Sequence, residues 1–167
     1  FSLVLTTPIF SQKRDITLDD LWKNYSFYPE SVGGFNSMND GEHYSTMERI
    51  EDGQEIIKYK FKSGKKVRTL FKSADFEIPK VGRYTFSQDE KQLLLATETE
   101  KIYRYSSQSI YYVYNVFTDK LKKLSEDKVM YATFSPNGEK VAYVLKNNLY
   151  IKNIRSGITT QVTNDGK

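Results

Sequence analysis

Apolar and polar residues alternate along much of the chain, in short runs that are separated by turn residues. The clearest run goes from Tyr131 to Phe134 and is followed by Pro136-Asn137-Gly138 and a second run over 140–145. Alternation of this kind places one face of a β-strand in a core and the other in water. Proline presets its φ angle, and asparagine and glycine accept positive φ, so the residues between the runs are typical of a tight turn. The stretch predicts a β-hairpin.

The same pattern occurs three times along the chain. It recurs at Tyr84–Leu95 and, in a degenerate form, at Gly34–Met47. Aligned on the turn, positions 41, 90 and 138 are equivalent, so the copies lie 49 and 48 residues apart. A fixed period in this range marks a repeat architecture. The predicted strands are Tyr44–Glu48, Ile56–Phe61 and Val67–Phe71, then Tyr84–Phe86, Gln92–Thr97, Ile110–Asn115 and Lys120–Leu124, and finally the run ending at Phe134, Lys140–Leu145, Leu149–Asn153 and Ile158–Thr163.

Four short strands with brief links are the build of a β-propeller blade. The sequence therefore predicts an all-β fold of about three four-stranded antiparallel blades, at approximately 33–80, 81–127 and 128–167. An unrelated β-sandwich with regular turns is the alternative. Propellers close with about four to eight blades, and an open ring leaves strand edges unpaired. We therefore expect an incomplete propeller that continues beyond this chain of 167 residues.

The first dozen residues differ from the rest of the chain. Residues 1–12 carry no charge and are mostly apolar up to Phe10. This run is too short to span a bilayer and is typical of the tail of a secretory signal peptide. It predicts an exported protein, periplasmic or secreted, while an edge strand at the terminus is the alternative.

Residues 13–32 predict a lead-in with one short helix. Thr17 suits the N-cap position, and Asp19 and Asp20 follow it in the first turn, where the helix dipole favours acids. The apolar side chains of Leu18, Leu21 and Trp22 form a stripe on this helix.

Few residues of the chain suit catalysis. Its one histidine is His43, it has no cysteine, and it contains neither a Gly-x-Ser-x-Gly elbow nor a glycine-rich phosphate loop. We therefore expect no catalytic residue, no metal site and no cofactor in this chain, and we interpret His43 as a strand residue. The formal net charge of +4 comes from scattered lysines, so nucleic-acid binding is not predicted.

One segment of the second repeat is longer than its counterpart in the third. Residues 98–110 separate two predicted strands, whereas the corresponding link in the third repeat is 146–148. Long insertions on a rigid scaffold tend to carry function. This one presents Arg104 between Tyr103 and Tyr105, and a guanidinium is suited to carbonyl or carboxylate oxygens. The segment predicts substrate binding by Arg104 with support from the two tyrosines, while a surface arginine stacked on its neighbours is the alternative.

Several segments, read in order, carry a resemblance to a known family. They are Asp15–Leu18, the helix with Trp22, Gly34-Phe35, Asp40–Tyr44, Lys101–Arg104, Thr133–Pro136 and Leu149–Ile151. Together they resemble the N-terminal propeller of dipeptidyl peptidase IV, whose family consists of serine exopeptidases of the prolyl oligopeptidase clan. The exported bacterial members are the most similar. The resemblance covers nearly the whole chain after its first dozen residues.

The resemblance implies a function for a longer protein. In the family, an eight-bladed propeller caps a C-terminal α/β-hydrolase domain that carries the Ser, Asp and His triad, and the enzymes commonly dimerise. They remove dipeptides from peptides with a free N-terminus and with proline or alanine at the second position. A glutamate pair binds the free amine and lies outside this chain. The match assigns Arg104 to the arginine that binds a peptide carbonyl.

Two other functions remain compatible with the same residues. A non-catalytic exported propeller that binds a peptide, a glycan or an envelope partner would show the same repeats and the same missing nucleophile. A sandwich-type adhesin domain is the second alternative.

Overall fold

The computed structural model describes residues 15–29 and 34–166, which fall in two separate units. The first unit contains helix α1 (Leu18–Trp22). The Thr17 hydroxyl accepts a hydrogen bond from the Asp20 N–H at 3.2 Å, and the Thr17 N–H donates to the Asp20 carboxylate at 3.0 Å. This reciprocal cap confirms the predicted helix and its N-cap. The signal-peptide prediction for residues 1–12 lies outside the described residues, within which no helix has the length and hydropathy needed to cross a membrane.

The second unit contains three antiparallel meanders, one for each predicted repeat. The first repeat is β1 (Phe35–Ser37), β2 (His43–Ile50), β3 (Gly53–Lys60) and β4 (Lys66–Lys72), the second is β5 (Val81–Phe86), β6 (Gln92–Lys101), β7 (Ser107–Asn115) and β8 (Lys120–Lys123), and the third is β9 (Val129–Phe134), β10 (Lys140–Leu145), β11 (Asn148–Asn153) and β12 (Thr159–Gln161). Within each repeat, strands that are consecutive in the chain are neighbours in the sheet. The predicted four-stranded repeat is therefore confirmed.

The second and third repeats share one eight-stranded sheet, whereas the first repeat forms a four-stranded sheet of its own. The connection is made by β7 and β9, which pair through Gln108 with Met130 and Ser109 with Val129. Strand β7 begins at Ser107 and is therefore long enough to reach the start of β9. The three predicted blades are thus present, and two of them are joined by this pairing.

Strand β6 is buried on both faces over residues 93–97. Because successive side chains of a strand point to opposite faces, Leu93 and Leu95 pack on the first repeat while Leu94 and Ala96 pack on the third. The cluster between the first and second repeats consists of Ile56, Leu70, Phe71, Val81, Tyr84, Leu93, Leu95, Tyr114 and Val116. The cluster between the second and third consists of Leu94, Ala96, Tyr111, Val113, Leu124, Val129, Val141 and Tyr143. The second repeat is therefore the middle layer of the unit.

Each repeat forms the same turn between its first two strands. The equivalent residues Gly41, Glu90 and Gly138 have left-handed φ angles of +67°, +56° and +70°. In the second repeat, the Ser87 hydroxyl accepts a hydrogen bond from the Gln92 N–H at 3.0 Å and closes the turn. The shared backbone conformation confirms the equivalence of positions 41, 90 and 138 that the sequence alignment assumes.

The first repeat reaches the same turn with different side chains. Here Asp40 Oδ1 accepts hydrogen bonds from the N–H groups of Glu42 and His43, at 3.0 and 2.9 Å. Asp40 Oδ2 lies 3.0 Å from Lys58 Nζ and 2.7 Å from His43 Nδ1. Burial acts to raise the pKa of Asp40, but these hydrogen bonds outweigh it and hold the pKa well below its ordinary value. His43 is the first residue of β2, which confirms it as a strand residue.

A glutamine side chain connects the first repeat to the second. Gln54 Nε2 donates to the Val81 carbonyl at 2.9 Å, and Gln54 Oε1 accepts from the Val81 N–H at 2.8 Å. Strand β5 is the last strand of its sheet, so Val81 has no neighbouring strand on that side. The Gln54 amide therefore takes the place of a strand at the start of β5.

We expect Gly41→Ala to destabilise the second unit by about 1 kcal/mol, because an L-residue at this left-handed φ is strained. No atom lies within 4 Å of a Cβ built on Gly41, so backbone strain is the only new cost. Pulse proteolysis in urea, with mass spectrometry of peptides from residues 34–166, measures the effect. Gly41→Asn is the control and should cost less, because asparagine tolerates this conformation. Equal losses in the two variants would contradict the strain argument.

Candidate functional site at the β6–β7 hairpin

Strands β6 and β7 extend further than the sequence predicts. We predicted strand ends at Thr97 and Ile110, but β6 continues to Lys101 and β7 starts at Ser107. A bulge follows Thr97, after which the strands pair again between Glu100 and Gln108. The predicted loop of residues 98–110 is therefore wrong in extent, since most of it is a two-stranded hairpin with a tip at 102–106.

Backbone hydrogen bonds close the tip of the hairpin. The Ile102 and Tyr103 N–H groups both donate to the Ser106 carbonyl, at 2.9 and 3.2 Å. The Ser106 N–H donates in return to the Tyr103 carbonyl at 3.4 Å. The tip that carries Arg104 is therefore a closed turn.

The tip presents its three candidate side chains to solvent. Arg104 is exposed, and the flanking Tyr103 and Tyr105 are 79% and 89% exposed. Among the residues that the structure describes, no hydrogen bond or ion pair engages the guanidinium, and the cation–π contact is between Arg68 and Phe117 instead. The planar set of donors of Arg104 is thus available to carbonyl or carboxylate oxygens.

The stem of the hairpin is held by an ion pair with the third repeat. Lys128 Nζ forms a short hydrogen bond with Glu100 Oε1 and lies 4.0 Å from Glu98 Oε2. The other oxygen of Glu100 accepts a hydrogen bond from Gln108 Nε2 at 3.0 Å. Hydrogen bonds from Lys128 and then from Gln108 lower the pKa of Glu100, because both favour its charged form. The stem is therefore tied across the hairpin and to the next repeat.

A second feature was not found from the sequence. An open cavity of about 670 Å³ is lined by the first strands of all three repeats, and its lining includes Asn36, Arg83, Thr85, Tyr131 and Thr133. The cavity lies beside the start of β5. The hairpin extends from the same end of the sheet. The cavity brings residues of the three repeats to one surface.

Two exposed residues in the lining of this cavity have unusual features. Arg83 is exposed, and one of its guanidinium nitrogens donates to the Tyr111 hydroxyl at 3.2 Å. Tyr131 is 59% exposed and has a left-handed φ of +55°, which is rare for a bulky residue. Positions 83 and 131 are 48 residues apart, so the repeat period was the signal from which their shared location could have been predicted.

Comparison with known proteins shows a similarity to one family. The model for the dipeptidyl peptidase IV N-terminal region matches residues 87–167. The crystal structure of Porphyromonas gingivalis dipeptidyl peptidase 4 is 37% identical and superimposes with a TM-score of 0.74, over 93% of this chain and 22% of that one. The chain is similar to the propeller region of dipeptidyl peptidase IV.

The curated relatives that this chain matches are much longer than the chain itself. Prolyl endopeptidase FAP of Bos taurus is 25% identical over 94% of this chain and 20% of its own length. Inactive dipeptidyl peptidase 10 of Rattus norvegicus is 30% identical over 59% of this chain and 13% of its own. The chain therefore spans about a fifth or less of the relatives it matches.

Proposed function

We propose that this dipeptidyl peptidase IV-type region positions the substrate of an exported dipeptidyl peptidase. In the full-length protein, a C-terminal α/β-hydrolase domain supplies the catalytic serine, aspartate and histidine. The substrate is a peptide with a free N-terminus and with proline or alanine at its second position. The observation that carries the proposal is an exposed Arg104, without a hydrogen bond or ion pair to any described residue, at a hairpin tip in a propeller similar to this family.

The chemical role of Arg104 is to hold a peptide carbonyl. A charge-assisted hydrogen bond from the guanidinium fixes the substrate in one register. Tyr103 and Tyr105 flank it and border the bound peptide. The bond-making steps, acyl transfer to a serine and hydrolysis of the acyl-enzyme, take place on the hydrolase domain. Arg104 thus contributes to positioning and not to bond making.

The proposed layout has a signal-peptide remnant at 1–12, a lead-in at 13–32 and blades at 33–80, 81–127 and 128–167. Further blades follow in the full-length protein. The sheet of the first repeat supports this continuation, because one face packs on the second repeat while the other carries Phe35 and Phe61, which are 44% and 45% exposed. These rings contact Tyr44, at centroid distances of 5.9 and 4.9 Å. An apolar face of this kind is suited to packing against another blade.

The full-length protein is proposed to be periplasmic or secreted and to form a homodimer, as the family resemblance implies. A second function is a propeller that binds a ligand without cleaving it, such as a peptide, a glycan or an envelope partner. The observation that favours it is the similarity to a relative that is named inactive. The two functions differ in whether the full-length protein turns substrate over.

Assay of the full-length protein on glycyl-prolyl-p-nitroanilide distinguishes the two functions. We expect release of p-nitroaniline that stops after treatment with diisopropyl fluorophosphate, because the nucleophile is a serine. The N-acetylated substrate should not be cleaved, since its amine is blocked, and residues 1–167 alone should be inactive. A folded full-length protein that cleaves none of these substrates would be the non-catalytic propeller.

A further inference from the structure

The hairpin that carries Arg104 needs support from outside its own strands. Strand β5 ends its pairing with β6 at Val81 and Thr97, so beyond Thr97 only the base of the stem pairs with another strand, through Gln108 and Ser109 of β7 with β9. An isolated two-stranded hairpin is marginally stable in water. Glu98, at the bulge, also has a left-handed φ of +48°, which interrupts the ladder between the sheet and the stem. The position of Arg104 therefore depends on whatever holds this stem.

We propose that Lys128 is a positioning residue that fixes Arg104 by holding the hairpin stem through Glu100. The inference rests on the proposed function, in which Arg104 binds substrate. It assigns a role to a residue of the third repeat that is 24 positions from Arg104 and does not touch it.

Lys128 is well placed to act as an anchor. It directly precedes Val129, which is 1% exposed and pairs with Ser109 of β7. The Lys128 side chain is 23% exposed and that of its partner Glu100 is 57% exposed. The lysine is therefore the more firmly packed partner of the pair.

Glu100 connects Lys128 to both strands of the stem. One carboxylate oxygen bonds Lys128, and the other bonds Gln108 on the opposite strand. Thr99 and Ser109 add a hydrogen bond between their hydroxyl groups at 2.8 Å. Arg104 lies four positions after Glu100, in a turn that backbone hydrogen bonds close. Release of the stem would therefore displace the guanidinium.

The test compares three lysine variants in the full-length protein. Lys128→Met should lower kcat/KM on glycyl-prolyl-p-nitroanilide by roughly threefold to tenfold, because small displacements of a positioning group cost this much or more. Lys128→Arg keeps the charge and should stay within about twofold of the unmodified protein. Lys91→Met is the matched control, since its ammonium forms a 3.3 Å ion pair with Asp89 beside the end of β6 that is opposite the hairpin, and it should leave kcat/KM unchanged.

Combination with Arg104→Ala separates this inference from the proposed function. If Lys128 acts through Arg104, Lys128→Met should have no further effect on kcat/KM in the Arg104→Ala background. The same loss in both backgrounds would indicate a merely structural role and overturn the inference. Wild-type activity of Lys128→Met beside impaired Arg104→Ala would overturn it too. Wild-type activity of Arg104→Ala would instead overturn the proposed function.

Two further measurements test the inference even if a Lys128 variant fails to fold. Glu100→Gln removes the charge but keeps an oxygen for Gln108, and it should reproduce the loss seen with Lys128→Met. Amide hydrogen exchange over residues 98–108 should be faster in Glu100→Gln and Lys128→Met than in Lys91→Met. Unchanged exchange and unchanged kcat/KM in Glu100→Gln would contradict the role of the pair.

Discussion

Replacement of Arg104 by alanine in the full-length protein is expected to lower kcat/KM on glycyl-prolyl-p-nitroanilide by about tenfold to a hundredfold. A hydrogen bond to a charged group contributes roughly 1.5–3 kcal/mol, which corresponds to about one to two decades when it is made in the transition state. The side chain is exposed, so its removal leaves no cavity, and thermal stability should not change. Initial rates over a range of substrate concentrations measure the effect.

Two variants make this result specific to the guanidinium. Arg104→Lys keeps the positive charge but loses the planar set of donors, so its kcat/KM should lie between the alanine variant and the unmodified protein. Arg155→Ala removes an exposed arginine from a turn of the third repeat and should have no effect. An Arg104→Ala protein that is folded and fully active would remove Arg104 from the substrate site.

Gln54→Leu is expected to destabilise the second unit by about 2–4 kcal/mol. Leucine has a similar size but cannot pair with the backbone, so the N–H and the carbonyl of Val81 would both lose their partner. Val81 is 1% exposed, and each unsatisfied buried polar group costs roughly 1–3 kcal/mol. Pulse proteolysis of the full-length protein across a urea series, with mass spectrometry of peptides from residues 34–166, reports the loss.

The matched control for this variant is Gln88→Leu. Gln88 is exposed, so the same chemical change there should alter the free energy of unfolding by less than about 0.5 kcal/mol. Equal urea midpoints for Gln54→Leu and Gln88→Leu would show that the start of β5 does not depend on the glutamine amide.

The strands beside strong turn signals were the ones predicted correctly. Lys140–Leu145 agrees at both ends, because Pro136-Asn137-Gly138 and 146–148 fix its limits by local backbone chemistry. The four-stranded repeat and the equivalence of its turns follow from the same local signals. Strand β1 was not among the predicted strands, since its three residues are exposed and show no apolar alternation.

The hairpin and its anchor lie beyond what local patterns predict. Residues 98–108 are mostly polar, so nothing in their pattern indicates a strand, and the pairing is set by register and by side-chain bonds. The ion pair of Lys128 with Glu100 joins residues 28 positions apart and depends on how two repeats are placed. Arg104 was predicted as a candidate from its neighbours and from the family resemblance, whereas its support required the three-dimensional structure.

The burial of β6 on both faces affects how the second unit unfolds. Each buried cluster joins the second repeat to one neighbour, so the repeats behave as a short linear array with nearest-neighbour coupling. Opening of an outer repeat breaks one cluster, whereas opening of the central repeat breaks both and is correspondingly rarer. Among these three repeats the central one should therefore open last, together with residues 93–97 of the strand that leads to Arg104.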